Sequence, residues 1–230
     1  MAGQGVLVAG GTGALGTAVL RELLDAGSDV TATWLVAAER ERVEQELGDK
    51  ELPAFVEADL MEPEGAERAV AAVADLGAVV NLVGGFSAGP RVHEADPEDF
   101  DRMLRLNLRP GLLLACAAMP RLIEAGGGAF VGVSARPALR PFPGGAAYST
   151  AKAAVLAFIK ALDSEYRQDG IRCNAILPSV IDTPANRRSQ PDADYSKWVP
   201  PAEIARVVRF LVSDDSAPTS GAAIPVYGRA

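Results

Sequence analysis

Tyr148 and Lys152 stand four residues apart in the stretch YSTAK. On a helix that spacing puts both side chains on one face. An ammonium beside a phenol favours tyrosinate and lowers the phenol's pKa from about 10. A phenol tuned toward neutrality can pass a proton to or from a substrate oxygen or nitrogen while a hydride moves at another group. The pair alone is common on amphipathic helices, so its meaning depends on what else the chain carries. The second chemical signal is AGGTGALG, Ala9–Gly16, in which Gly10, Gly13 and Gly16 lie three apart. Glycines at that spacing permit a tight turn and let backbone N–H groups approach a pyrophosphate at a helix N-terminus. The loop, with Thr12, Ala14 and Leu15 between and after its glycines, is read as binding a dinucleotide.

The choice of dinucleotide belongs to the end of the second strand. An acidic residue there holds the ribose 2′-hydroxyl of NAD, whereas an arginine accommodates the 2′-phosphate of NADP. This chain has Trp34 and Leu35, and Arg40 and Arg42 follow on a helix as solvated surface charge. Trp34 is placed at the cofactor's adenosine end, and the cofactor is NAD or NADP with the preference open. Asp59-Leu60, after the third strand, is read either as a cap on the adenine edge or as a simple loop aspartate.

The elements that must position these residues alternate. Strand-like runs cover 6–10, 29–34, 54–58, 78–83, 129–133, 171–177 and 222–226. Helical periodicity covers 14–26, 38–47, 63–74, 96–125 (long and bent), 146–168 and 201–212. Short apolar strands between turn residues, alternating with helices, predict a parallel sheet covered on both faces. The fold class is α/β, a single doubly wound Rossmann-type domain over residues 1–230. Pro178 to Pro200 is the one long irregular stretch, rich in Pro, Asp, Asn and Ser, and a loop that long in a compact domain is disordered or a functional lid; the lid is set at 179–200.

Composition excludes some classes. The formal net charge is −8 and the isoelectric point about 4.8, against a nucleic-acid partner, which needs a basic face. No run of about 18 apolar residues and no cleavable leader pattern is present, so a cytoplasmic protein without membrane contact is expected. Cys116 and Cys173 lie in apolar surroundings and read as reduced, buried thiols. His93 is the only histidine, so no metal site is expected. Asp96, Glu98, Asp99 and Asp101 read as first-turn helix acids, and Arg187-Arg188 as an exposed basic pair.

Taken in order, AGGTGALG, Asp59-Leu60, NLVGG (81–85), Asn107, 134–152, LPSVIDTP (177–184) and SGAAIPVYG (220–228) resemble the short-chain dehydrogenase/reductase family over nearly the whole chain. The resemblance implies that Tyr148 is the catalytic acid/base and that Lys152 binds the nicotinamide ribose and tunes it. Asn107 would support a proton relay, Asn81 and Gly84 would line the adenosine side, Thr183 would touch the nicotinamide amide, and Pro178 would bind the cofactor. It also implies a homodimer or homotetramer, packed through the helices at 96–125 and 146–168, acting on a small-molecule substrate.

One departure stands out. Family members usually carry a serine 13 residues before the tyrosine, and here 148 − 13 gives Ala135. Ser134 is adjacent, but neighbouring strand residues face opposite ways, so it would substitute only where the strand end bends. Branches without this serine include the dihydropteridine reductases. VGGFSAG (83–89) and LPSVIDTPANRRSQPDADYSKWVPPAE (177–203) are similar to that branch's glycine-aromatic stretch and lid. With Ala135 on the substrate side and Phe86 and Trp198 as flat walls, the expected activity is NAD(P)H-dependent hydride transfer to a conjugated ring, a quinonoid dihydropteridine. The alternatives are a ketone or alcohol oxidoreductase using Ser134, and a non-catalytic dinucleotide-binding redox sensor.

Overall fold

The computed structural model describes residues 4–48 and 52–229. Seven parallel strands form one sheet in the order β3-β2-β1-β4-β5-β6-β7. They are β1 (Gly5–Ala9), β2 (Asp29–Trp34), β3 (Ala54–Glu57), β4 (Leu76–Asn81), β5 (Gly128–Val133), β6 (Ile171–Pro178) and β7 (Ala223–Val226). Every residue of β1 and β4 is buried. That explains why they read as continuous apolar runs rather than alternating ones, because a parallel sheet is covered on both sides.

The covers are two helical layers. On one face lie α1 (Ala14–Asp25), α2 (Ala37–Leu47) and α7 (Pro201–Val212), whose Val19, Leu23, Val43, Ile204 and Val208 form a core with Val6, Val8 and Val80. On the other lie α3 (Pro63–Ala71), α4 (Pro97–Glu124) and α5 (Ala146–Tyr166). These bury Ala69, Leu114, Leu122 and Ile159 against Leu7, Val79 and Phe130. The sequence-based elements all form, with ends moved by at most three residues, as fraying ends do. The order reverses between β1 and β4, and the strands' carboxyl ends open a crevice there, where α/β sheets bind ligands.

The acids at the head of α4 do what acids at a helix N-terminus do. Asp96 is its N-cap and accepts from the Glu98 backbone N–H at 3.0 Å, ahead of Pro97 at the first helical position. Pro110 and Pro120 lie within this helix, so two backbone donors are missing from its ladder.

Two expectations are corrected. Cys173 is buried, and burial pushes its thiol up to about 12, but Cys116 is exposed on α4; one side of that helix is apolar yet faces outward. The stretch after β6 is also not irregular throughout. It holds a short helix, α6 (Pro184–Ser189), and a 3-10 turn at Tyr195–Lys197. Its two ends are tied together by a parallel bridge between Ile181 and Val199, with Asp182 N–H donating to the Val199 carbonyl at 2.9 Å. Arg187 and Arg188 are exposed, as expected, and Arg187 is paired: it grips Asp182 with two hydrogen bonds of 2.6 and 2.7 Å and lies 4.6 Å from the centre of the Tyr195 ring.

Candidate active site

The glycine loop joins β1 to α1. Gly16 is needed where the helix meets the loop, because a Cβ there would run into the Gly11 carbonyl. The N-cap of α1, Gly13, offers no side-chain cap, and Gly13 and Ala14 are exposed. The first amides of α1 therefore point out uncapped, which suits an anionic pyrophosphate. The fit of this loop to a dinucleotide rests on that arrangement. Three residues outside the motif hold the loop in place. Thr33, at the end of β2, accepts the Gly10 N–H at 2.9 Å. Glu39 accepts from the Thr12 hydroxyl at 3.2 Å, and Arg42 donates to the Thr12 carbonyl at 2.5 Å.

The adenosine end is less simple than the sequence suggests. Arg40 lies over both the Trp34 ring (5.4 Å) and the Phe55 ring (5.5 Å), and pairs with Glu44 at 2.8 Å. Leu60 is in the core, so its side chain is not free for the adenine. The Asp59 carboxylate accepts from the Met61 N–H at 2.9 Å, the loop-capping role named above as its alternative.

At the crevice, Asn107 and Lys152 converge on Gly84. A Cβ at Gly84 would lie 2.6 Å from Asn107 Oδ1 and 3.0 Å from Lys152 Nζ, so only glycine lets the chain pass there. Asn81 caps the turn, its Oδ1 accepting from the Val83 N–H at 3.1 Å. Asn107 is buried; its Oδ1 accepts from the Gly85 N–H at 3.1 Å and its Nδ2 donates to the Met103 carbonyl at 3.0 Å. Lys152 Nζ donates to the Val133 carbonyl at 3.0 Å and lies 5.9 Å from the centre of the Tyr148 ring. The helical spacing of Tyr148 and Lys152 thus does bring them together, with Asn107 and Gly84 against the ammonium.

The expected tuning of the phenol is not what the protein alone provides. Burial pushes Tyr148 up to about 12, and burial pushes Lys152 down to about 8. Desolvation of each group outweighs their mutual attraction. Tyr148 therefore stays protonated at neutral pH, the form that donates a proton.

The two serine-region residues separate clearly. Ser134 is 1% exposed, and its hydroxyl donates to the Lys152 carbonyl at 2.7 Å. The strand end does not bend, so Ser134 braces α5 and does not stand in for the absent hydroxyl, correcting its placement among the catalytic residues. Ala135 is extended and nearly buried. Pro178 ends β6, and Thr183 caps α6, accepting from the Asn186 N–H at 3.2 Å. Trp198 is not a substrate wall: it is 7% exposed and packs under Tyr195 with ring centroids 4.7 Å apart. Phe86 is 65% exposed and meets Tyr148 edge-on, centroids 4.9 Å apart. Phe142, absent from the sequence reading, stacks on Phe86 at 6.3 Å; its only signal was a lone aromatic between prolines and glycines ahead of α5.

A glycine loop at a sheet switch point, with a tyrosine and a lysine on the neighbouring helix, defines a dinucleotide-dependent oxidoreductase. The chain belongs to the short-chain dehydrogenases, whose family model matches residues 4–194. Its cofactor is a nicotinamide dinucleotide, NAD or NADP. It is 32% identical to the 2-(R)-hydroxypropyl-CoM dehydrogenase of Xanthobacter autotrophicus, covering 96% of each chain. It is also 32% identical to the 4-formylbenzenesulfonate dehydrogenase of Comamonas testosteroni, covering 98% of this chain and 96% of that one. A short-chain type dehydrogenase/reductase structure from Mycobacterium ulcerans superimposes with a TM-score of 0.92 at 25% identity, over 99% of this chain and 89% of that one. These relatives carry alcohol and aldehyde dehydrogenase names, so the likeness of the segment after β6 to dihydropteridine reductases does not fix the substrate. Among the described residues no helix is long and apolar enough to cross a membrane.

Proposed function

We propose that the protein interconverts an alcohol and its carbonyl compound, with Tyr148 as the proton donor and acceptor. The observation that carries this is the convergence of Tyr148, Lys152, Asn107 and Gly84 at the carboxyl ends of β4 and β5. When bound, the nicotinamide supplies or accepts the hydride at the carbinol carbon. Tyr148 gives the proton to the oxygen in reduction and takes it back in oxidation. Lys152 and Asn107 hold the tyrosine's surroundings and connect it through the Gly84 turn to the interior. Gly10, Thr12, Gly13, Ala14, Leu15 and Gly16 bind the pyrophosphate, Trp34 and Asn81 flank the adenosine, and Pro178 and Thr183 flank the nicotinamide. Residues 179–200 cover the site as a lid.

A second reading is carried by Ala135. With no hydroxyl there and Ser134 committed elsewhere, a conjugated ring such as a quinonoid dihydropteridine suits the site, because hydride addition to such a ring needs less polarisation of a single oxygen. The assembly is read as a homodimer or homotetramer through α4 and α5; Leu112 and Ile123 are exposed apolar residues of α4, and light scattering measures the mass.

The test is steady-state turnover with NADH and with NADPH, on aldehydes, ketones and quinonoid dihydropteridine, alongside Tyr148→Phe. Turnover of carbonyls that Tyr148→Phe abolishes supports the first reading. Turnover of the dihydropteridine alone replaces it with the second, and tight cofactor binding with no turnover at all leaves a redox sensor.

A further inference from the structure

We propose that Phe142, together with Phe86, forms an aromatic platform beside Tyr148 that selects substrates whose reacting carbon is borne on a flat aromatic ring. This rests on the alcohol–carbonyl reading above and names its substrate class. The two rings come from separate loops, one after β4 and one before α5. Their planes are 25° apart, and Phe86 turns its ring at 74° to that of Tyr148. Large aromatic side chains belong in a core; one left 65% exposed beside the reacting phenol marks an apolar surface kept open for a ligand.

The loops are fastened so that the rings stay there. The Gly89 N–H donates to the Gly144 carbonyl at 2.9 Å. Gly144 has φ +78°, and a Cβ on it would strike the Gly89 carbonyl. A Cβ on Gly145 would lie 2.6 Å from the Phe142 ring. Side chains at these two positions would part the loops or push Phe142 away, so the sequence Phe142-Pro143-Gly144-Gly145 serves to place that ring.

The polar side of the site makes the platform necessary. Ala135 offers no hydroxyl, and the Ser134 hydroxyl is spent on the Lys152 carbonyl. Tyr148 is then the one side-chain hydroxyl of the three positions that is available to a carbonyl oxygen. A single hydrogen bond leaves the substrate free to swing about it. A flat ring held on Phe86 and Phe142 supplies the second constraint that fixes which carbon meets the hydride.

The experiment uses the full chain with cofactor and the matched pair benzaldehyde and cyclohexanecarbaldehyde, which differ in the ring and not in the carbonyl. Wild type is expected to favour benzaldehyde in kcat/KM by about tenfold, the size of one aromatic pair. Phe142→Leu, which keeps an apolar side chain, should bring that ratio close to one through KM, and Phe142→Tyr should restore it. A wild-type ratio near one, or a ratio that Phe142→Leu leaves intact, overturns the platform. So does a change in the number of subunits per assembly in Phe142→Leu with the aryl preference retained, which would assign the ring to a contact between copies. Calorimetric binding of 2-naphthol, which has no carbonyl to reduce, reads the platform without turnover. Binding weakened about tenfold by Phe142→Leu, with neither aldehyde turned over, would sink the alcohol–carbonyl reading and keep the platform. Equal binding to wild type and variant would sink the platform whichever aldehyde reacts.

Discussion

The two ends of the crevice are built by different means. At the glycine loop the working groups are backbone amides, and their placement follows from local chain geometry: a strand end, uncapped first amides and Gly16 against the Gly11 carbonyl. At the substrate end the working groups are side chains. Phe86, Phe142 and Tyr148 are brought together from a loop, another loop and a helix. A backbone site tolerates change in most side chains around it but almost none at its glycines. A side-chain site is the reverse: one ring can be exchanged without harm to the fold, and the activity changes with it.

The sharpest break between the two ends should come from Tyr148→Phe. Removing the hydroxyl should cost kcat a factor of about 10²–10⁴, with cofactor affinity, measured by calorimetry, within twofold of wild type. Loss of cofactor binding as well would mean that the two ends are not separable.

Lys152 spans both ends, and its buried charge is expensive. Its pKa falls from 10.5 to about 8 on folding. Below pH 8 the folded and unfolded chains both carry the proton, and the folded state bears the full cost of the buried ammonium. Between 8 and 10.5 the folded chain sheds the proton first, so stability rises with pH. Lys152→Met should therefore stabilise the protein at pH 7 by up to about 3 kcal/mol, less the hydrogen bond lost at the Val133 carbonyl, while activity disappears. The gain should fade as pH climbs from 8 to 10.5, read by urea unfolding at several pH values. In wild type, kcat/KM should fall as pH passes about 8 and the ammonium is lost.

Gly16→Ala tests the backbone end. Its Cβ meets the Gly11 carbonyl, so a loss of stability of roughly 1–3 kcal/mol is expected from overpacking, with a weaker cofactor Kd and the aryl preference of the remaining activity unchanged. Ser134→Ala should have the smallest effect. It removes one buried hydrogen bond to the Lys152 carbonyl, costing about 1 kcal/mol, and should leave the KM for carbonyl substrates within twofold. A KM rise of tenfold or more would return Ser134 to the substrate side.

The legible parts were those that repeat a local rule. The alternation of short apolar runs with helical periodicity gave the doubly wound sheet, since a parallel strand buried on both faces must be apolar throughout. The glycine spacing gave the loop, and four-residue spacing gave the tyrosine–lysine face. What failed did so for want of a partner in view. Trp198 read as a wall because its ring is flat, yet Tyr195 and the bridge at Val199 draw it inward. Cys116 read as buried because its neighbours are apolar, yet that face of α4 looks outward. Thr33, Glu39 and Arg42, which hold the glycine loop, carry no motif of their own.

The sequence by itself determined the sheet, the class of cofactor and the placing of Tyr148 and Lys152 on one helix face, because each depends on residues close together in the chain or on a period that repeats along it. Only the tertiary structure decided what Ser134 does, which way the pKa values of Tyr148 and Lys152 move, and that Phe142 lies on Phe86. Those outcomes depend on burial and on contacts between residues distant in the chain. The same hydroxyl, ammonium or ring acts differently according to which distant group it meets and how much water is left around it.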